Sequence, residues 1–249
     1  IREISPNTLE NRFTRYNEAT NLWDANVTAS DNFEAGEMIA FRSPNDFNIS
    51  GDSQTFESEF YGTPINGTIT VPVTKNSKGY NAIGNPYASP INLSKFMAAN
   101  TDVNSAFVWT HQHQFVDGAY TGSNWALFNG TGWNDPTQTS TNLDIAQGFI
   151  IEALNPGNIT FDNAMRETSD GIFYKQQKDR LWLSLSNDKT KFNSLLVGYV
   201  EGSSKEYNPT FDAKPFEKAE GIYTLLNDEL YSIQGRGEFK NDDAVNLSY

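Results

Sequence analysis

The chain has 249 residues, of which 37% are hydrophobic and 13% are aromatic, so it can bury a sizeable core and is not a disordered segment. Its formal net charge of −13 excludes nucleic acid and anionic lipid surfaces as favoured partners, because both would repel it. The lack of cysteine excludes disulfides and thiolate chemistry, and the lack of any apolar run of about 18 residues excludes a membrane-spanning helix.

The first part of the chain predicts short strands separated by frequent turns. The chain contains 28 Asn, 18 Gly and 10 Pro, and all three residue types favour turns. Residues 1–32 are polar with isolated aromatic anchors, which predicts a hairpin or an edge segment. Residues 38–41 are typical of a buried strand. Residues 68–73 alternate polar and apolar side chains, and Pro72 places that strand at a sheet edge because proline cannot donate to a ladder.

The motif GYNAIGNPYASPI at residues 79–91 predicts a strand, a tight turn and a proline-fixed exit. Gly84 and Asn85 tolerate positive φ, and Pro86 biases Asn85 toward an extended shape, so we predict that the turn requires a positive φ at Gly84. A short helix is expected over residues 93–99, because Asn92 can cap its N-terminus.

The middle of the chain predicts three more strands and one long loop. Residues 106–110 form an apolar run that is typical of a strand. Residues 124–142 are polar and rich in Gly, Thr and Asn, which predicts an extended loop. Residues 149–153 and 158–161 are predicted to form a hairpin, since the turn sequence Asn-Pro-Gly separates them.

Charge concentrates and apolar periodicity lapses over residues 166–180, which predicts a domain boundary. We therefore expect an N-terminal β-rich domain over residues 1–166 and a C-terminal β-sandwich over residues 167–249, in which five short strands follow one another. The predicted fold is all-β, with two β-rich lobes that are antiparallel and sandwich-like, and with one short helix.

Four aromatic residues of the middle segment form the predicted ligand-binding site: Tyr120, Trp125, Phe128 and Trp133. Sugar rings stack on flat aromatic faces, and the neighbouring amides suit hydroxyl groups, so this composition favours a glycan platform. The alternative is that the rings fold back as a small core of the loop itself. The sequence leaves both interpretations open.

The residues of catalytic and metal chemistry give no comparable signal. The chain has no Gly-x-Ser-x-Gly elbow, and only His111 and His113 are histidines, so we predict no catalytic residues and no cofactor. In a strand these two histidines would share a face, but no third ligand is evident, so we predict no metal centre. Residues 134–135 and 240–243 cluster oxygen ligands, which leaves a structural calcium ion open.

Seven blocks of the sequence occur in the order seen in one group of bacterial proteins. The blocks are GYNAIGNPYASPI at 79–91, WTH at 109–111 with GAY at 118–120, AQGF at 146–149, TFDNAMR at 160–166, RLWLSLSN at 180–187, GY at 198–199 and IQGR at 233–236. In these blocks residues 33–249 resemble large surface and secreted proteins of the Bacteroidota that carry a type IX secretion sorting domain at their C-terminus.

The resemblance implies a setting for the chain but no shared chemistry. It implies an extracellular or outer cell-surface location, with further strands and a sorting domain after Tyr249. Because Ile1 is not an initiator Met, we expect any signal peptide to have been removed or to precede Ile1. The function expected from it is that of a non-catalytic extracellular module of a large secreted or cell-surface protein, acting in adhesion or as a structural spacer. Its expected partners are other domains of the same polypeptide, and glycans or surface proteins. The alternatives are a carbohydrate-binding module attached to a polysaccharide-acting enzyme, and a fragment of an enzyme.

Overall fold

The computed structural model confirms the all-β class with one short helix. The residues that it describes are 1, 4–28, 30–42, 58–113, 115–116, 119–167, 179–188 and 191–249. The chain divides into two compact units: unit 1 comprises Ile1–Ile91 and Leu143–Thr168, and unit 2 comprises Asn92–Asn142 and Ser169–Tyr249. One break in this division falls inside the predicted boundary region of 166–180. The grouping of residues 92–142 with the C-terminal residues was not predicted.

The elements of the described residues are mostly short strands. In chain order the strands are β1 Phe13–Asn17, β2 Leu22–Asp24, β3 Ala40–Phe41, β4 Ile69–Val73, β5 Tyr80–Gly84, β6 Ile91–Asn92, β7 Val103–Trp109, β8 Phe115–Val116, β9 Ala119–Tyr120, β10 Trp125–Asn129, β11 Gly132–Trp133, β12 Asn142–Leu143, β13 Gly148–Ala153, β14 Gly157–Phe161, β15 Arg180–Ser186, β16 Lys191–Tyr199, β17 Tyr223–Leu226, β18 Glu229–Tyr231, β19 Ile233–Arg236 and β20 Leu247–Ser248. The helix α1 spans Leu93–Ala99, and short 3-10 turns span Glu10–Arg12 and Asn163–Met165. The described part of the chain contains no helix with the length and apolarity that a membrane crossing requires.

Unit 1 combines one local hairpin with strands that pair over long sequence distances. β1 lies between β2 and β3, β4 pairs with β14, and β5 pairs with β13, all antiparallel. The hairpin of β1 and β2 confirms the prediction for residues 1–32. Phe149 and Phe161 are fully buried and meet edge to face with ring centroids 6.5 Å apart. They come from different strand pairs, so the two pairs share this core.

The hairpin predicted for residues 149–153 and 158–161 is wrong. Both segments are strands, but β13 pairs with β5 and β14 pairs with β4. The Asn-Pro-Gly turn therefore carries the chain from one strand pair to the next instead of closing a hairpin. This arrangement buries the apolar faces of both strands, which a two-stranded hairpin alone would leave exposed.

Gly84 does not have a positive φ, so the prediction that the turn requires one there is wrong. Asn85 has no positive φ either, which agrees with the bias that Pro86 places on it. Gly84 ends β5 at a close approach of two backbone segments: its N–H donates to the carbonyl of Gly36 at 2.9 Å. A Cβ atom at position 84 would lie 2.6 Å from the carbonyl oxygen of Glu37. Glycine is needed there because of space and not because of φ.

Two local predictions are confirmed. β4 pairs only with β14 among the described strands, so Pro72 lies in an edge strand as expected. Helix α1 covers the predicted residues, and the side chain of Asn92 accepts a hydrogen bond from the backbone N–H of Lys95 at 3.1 Å.

Unit 2 contains the middle strands and the C-terminal strands. β10 lies between β7 and β11, β16 lies between β15 and β19, β17 lies between β18 and β20, and β8 pairs with β9. The pairing is antiparallel except between β16 and β19, which run parallel. The C-terminal strands were predicted, but the parallel pair departs from the purely antiparallel sandwich. The extended loop predicted over residues 124–142 is wrong, because β10 and β11 form a hairpin there.

Candidate functional site: an aromatic cluster in unit 2

Strand β10 carries two of the four aromatic residues predicted for a glycan platform, and they face opposite sides. Trp125 and Phe128 are three positions apart, and side chains alternate along a strand, so they project from opposite faces. Each pairs with an aromatic residue on a neighbouring strand: Trp125 lies opposite Trp109 of β7, and Phe128 lies opposite Trp133 of β11. The four predicted residues therefore do not share one surface.

Phe128 and Trp133 form a buried pair. Their exposed fractions are only 5% and 8%, and their ring centroids lie 5.0 Å apart. The indole N–H of Trp133 donates to the carbonyl of Ser140 at 3.0 Å, and the carbonyl of Trp133 accepts the indole N–H of Trp182 at 2.9 Å. Protein groups cover both rings, so we assign them packing and no ligand contact.

Trp125 and Tyr120 belong instead to an aromatic cluster that reaches the surface. We define the aromatic cluster by its five members: Trp109, Phe115, Tyr120, Trp125 and Phe216. Trp109 is the central ring, with centroids 5.2 Å from Tyr120 and 5.0 Å from Trp125. Tyr120 continues to Phe115 at 5.1 Å, and Trp125 continues to Phe216 at 4.9 Å. The rings are thus joined in one series of contacts.

The outer end of the aromatic cluster is open to solvent. Phe115 and Tyr120 lie opposite each other in the short hairpin of β8 and β9, and they are 60% and 49% exposed. Val116 on the same hairpin is 47% exposed. The ring planes of Trp109 and Tyr120 are inclined at 72°, so Tyr120 packs edge to face against Trp109. The result is an exposed apolar patch held by a half-buried tryptophan.

A small polar cleft adjoins the inner end of the aromatic cluster. It measures about 40 Å³, and its lining includes Trp125 and Phe216 together with Gln112, His113, Asp135 and Lys191. Asp135 is 8% exposed. Its carboxylate accepts hydrogen bonds from Gln112 at 2.8 Å and from the backbone and hydroxyl of Thr137 at 3.0 and 2.9 Å. The cleft holds a few water molecules at most, so it can bind a small polar group but not a whole ligand.

The two titratable groups of this cleft have shifted pKa values. Burial acts to raise the pKa of Asp135, but the hydrogen bonds from Thr137, Gln112 and Gln138 outweigh it and hold that pKa below its usual value. Desolvation lowers the pKa of His113, and the nearby ammonium of Lys191 lowers it further. At neutral pH the cleft therefore presents an anionic Asp135 and a neutral imidazole.

The residues considered for metal binding are engaged in other contacts. His111 lies beyond the end of β7 with a φ of 53°, so the shared strand face assumed for His111 and His113 does not form. Asp135 has the partners given above, and Asp243 accepts hydrogen bonds from the guanidinium of Arg236, the nearer at 2.6 Å. Within the described ranges, no group of three potential ligands gathers around a metal position.

Sequence reasoning missed three members of the aromatic cluster: Trp109, Phe115 and Phe216. Trp109 could have been found from the sequence, because it lies two positions after Phe107 in a predicted strand and so shares a face with it. Its partner Trp125 was assigned to a loop, so the cross-strand pair was not foreseen. Phe216 lies between strands, far along the chain, and no local pattern in the sequence points to its contact with Trp125.

Comparison with known proteins gives one match. A family model described as Domain of unknown function (DUF8693) matches residues 1–249. No curated protein and no solved structure matches the chain.

Proposed function

The chain belongs to the DUF8693 family over residues 1–249, and we propose that it is a non-catalytic extracellular module of a larger secreted or cell-surface protein that acts in adhesion. The aromatic cluster is the proposed contact surface. The extracellular setting rests on the seven blocks that resemble secreted Bacteroidota proteins.

The observation that carries the proposal is the exposure of Phe115, Val116 and Tyr120 on one short hairpin. Exposed apolar residues that are scattered singly need no explanation, but a contiguous group rimmed by polar residues is typical of a binding surface. Trp109 contacts Tyr120 from the protein side, which restricts the ring before any partner arrives. A restrained aromatic ring loses little conformational entropy on binding, which favours contact.

The charge of the chain limits the kind of partner. With a net charge of −13, the module is repelled by anionic surfaces at long range. The exposed members of the aromatic cluster are uncharged, so contact with them depends on apolar burial and ring stacking. We therefore expect an uncharged partner surface, such as a neutral glycan or an apolar patch of a surface protein, and binding that changes little with salt.

A second candidate is a carbohydrate-binding module attached to a polysaccharide-acting enzyme. The polar cleft favours it, since Gln112, His113 and Asp135 line a cleft at the inner end of the aromatic cluster whose outer end exposes Tyr120. Pockets that bind sugars combine flat aromatic faces with a few placed polar groups. Both candidates use Tyr120, but only the second requires that the partner be a glycan.

The test is retention of the purified chain on immobilised neutral polysaccharides and on immobilised surface proteins, at low and high salt. We expect retention that Tyr120→Ala abolishes. Phe239→Ala is the matched control, because Phe239 is 55% exposed in unit 2 but lies outside the aromatic cluster. Retention on polysaccharide alone would favour the second candidate. No retention of the parent chain on any surface would contradict both and leave a structural spacer.

A further inference from the structure

Unit 1 contains a cleft of its own, which the proposed function does not use. It measures about 370 Å³, which is within the range of pockets that bind small molecules. Its lining is mainly apolar and includes Phe33, Phe41, Phe60, Tyr61 and Ile145. All five side chains are more than a third exposed, so the cleft opens to solvent with aromatic walls.

The floor of this cleft is the GNPY sequence at residues 84–87, and it is held rigidly. The side-chain amide of Asn85 donates to the carbonyls of Ser89 and Asp144 at 2.8 and 3.0 Å, and its oxygen accepts the backbone N–H of Tyr87 at 3.0 Å. The hydroxyl of Tyr87 donates to the carbonyl of Gly67 at 2.6 Å. The floor does not have to reorganise to accept a ligand, which favours binding.

One carboxylate in the wall of the cleft has no counter-ion among the described residues. Glu34 is exposed, and its carboxylate forms no hydrogen bond or ion pair with any described residue. The neighbouring Glu37 also lines the cleft, but its carboxylate pairs with the guanidinium of Arg15. The carboxylate of Glu59 accepts the hydroxyl of Tyr61. Within the described part of the chain, the lining therefore combines aromatic faces with the carboxylates of Glu34 and Glu37 and includes no Lys or Arg.

We propose that this cleft binds a small organic cation whose substituted ammonium group lies against the aromatic walls near Glu34. The faces of aromatic rings carry negative potential and attract an ammonium group, most strongly when its charge is spread over alkyl substituents and its hydration is weak. The apolar part of such a cation fits the remaining lining. An anion would be repelled by Glu34, and a neutral apolar molecule would gain nothing from it.

The experiment compares choline with 3,3-dimethylbutan-1-ol, which has the same shape but no charge, by titration calorimetry on the whole chain. We expect choline to bind at least about fivefold more tightly than the neutral alcohol. Glu34→Gln and Phe60→Ala should each weaken choline binding by about fivefold or more. Both residues are exposed, so these variants should melt at the temperature of the parent chain, which is checked first.

Two further variants serve as controls. Glu238→Gln removes one exposed carboxylate from unit 2, and Leu22→Ala removes a side chain of unit 1 that is 60% exposed and outside the cleft. Choline affinity should be unchanged in both. Equal affinity for choline and the neutral alcohol would overturn the proposal and leave a general apolar cleft. No detectable choline binding, or an equal loss in Glu238→Gln and Glu34→Gln, would also overturn it.

Discussion

Strand β10 contributes to two cross-strand aromatic pairs whose rings are equally close but whose surroundings differ. The ring centroids are 5.0 Å apart both in the Trp109–Trp125 pair and in the Phe128–Trp133 pair. The second pair is buried, with exposed fractions of 5% and 8%, whereas the first continues through Tyr120 to an exposed hairpin. The two pairs therefore differ in their exposure to solvent, although the spacing of their rings is the same.

The comparison shows how one stretch of aromatic residues can serve both stability and recognition. A ring whose faces are covered contributes the free energy of its burial, and its removal leaves a cavity. A ring with a free face contributes less to folding but can contact a partner. The following substitutions measure, for each ring, how much it contributes to folding stability and how much it contributes to partner binding.

Trp133→Ala should have the largest effect on folding. It removes a buried ring, its contact with Phe128 and its hydrogen bond to Ser140, so we expect a loss of about 3–5 kcal/mol in the free energy of unfolding. Urea denaturation followed by tryptophan fluorescence and circular dichroism measures it. A loss smaller than that of Trp125→Ala would contradict the assignment of Trp133 to the interior.

Trp125→Ala should affect both properties. Trp125 is half-buried between Trp109 and Phe216, so its removal should cost about 2–3 kcal/mol in the free energy of unfolding. The substitution should also weaken partner retention. Trp109 would lose its contact with Trp125 and would therefore restrain the ring of Tyr120 less. Trp125→Phe keeps part of the ring contact and should lie between the parent and the alanine variant in both measurements.

Asp135→Asn tests a buried carboxylate beside the aromatic cluster, because Asp135 accepts a hydrogen bond from Gln112 and lines the same small cleft as Trp125. The pKa of Asp135 is lowered in the folded state, so its charge stabilises the fold above the unfolded pKa of about 3.9, and this stabilisation is lost as the pH falls through the folded value. At pH 7 the variant should be about 1–2 kcal/mol less stable.

The pH dependence provides the control for this variant. The difference in unfolding free energy between the parent chain and Asp135→Asn should be constant above about pH 5 and should shrink below about pH 4. Urea denaturation at a series of pH values measures it. A difference that stays the same down to pH 2 would show that the charge of Asp135 is not the stabilising property.

Tyr120→Ala should have the smallest effect on folding, at about 0.5 kcal/mol or less, because the ring is half exposed on a two-residue strand. Its effect on partner retention should be the largest of the four. The comparison between the pairs fails if this variant loses as much stability as Trp133→Ala, as measured in the same urea series.

Features that depend on neighbouring residues in the sequence were predicted well. The cap of helix α1 by Asn92 and the edge position of Pro72 follow from properties of single residues, and the structure confirms both. The first hairpin joins segments that are close in sequence, so a hairpin was one of the two predictions for residues 1–32, although the pairing of Tyr16 with Trp23 was not foreseen.

Features that depend on distant segments were not predictable from one sequence. Gly84 is glycine because the backbone near Glu37 passes close to it, and no local pattern shows that approach. The turn after Ala153 has the residues of a hairpin, but tertiary packing gives β13 and β14 other partners. Of the predicted site, Tyr120 and Trp125 remain candidates for ligand contact. The polar composition of residues 124–142 predicted a loop, so the strand β10, which directs Trp125 and Phe128 to opposite faces, was not predicted.

The pairing of β4 with β14 and of β5 with β13 has a consequence for the order in which the chain can acquire its structure. Ribosomal synthesis produces β4 and β5 first, and their partners exist only after residues 92–142 have been added. During that interval the early strands of unit 1 have unsatisfied edges, whereas β7 and β10 of unit 2 can pair as soon as β10 appears. Unit 1 should therefore form later than the β7–β10–β11 sheet and should be the part that a chaperone protects.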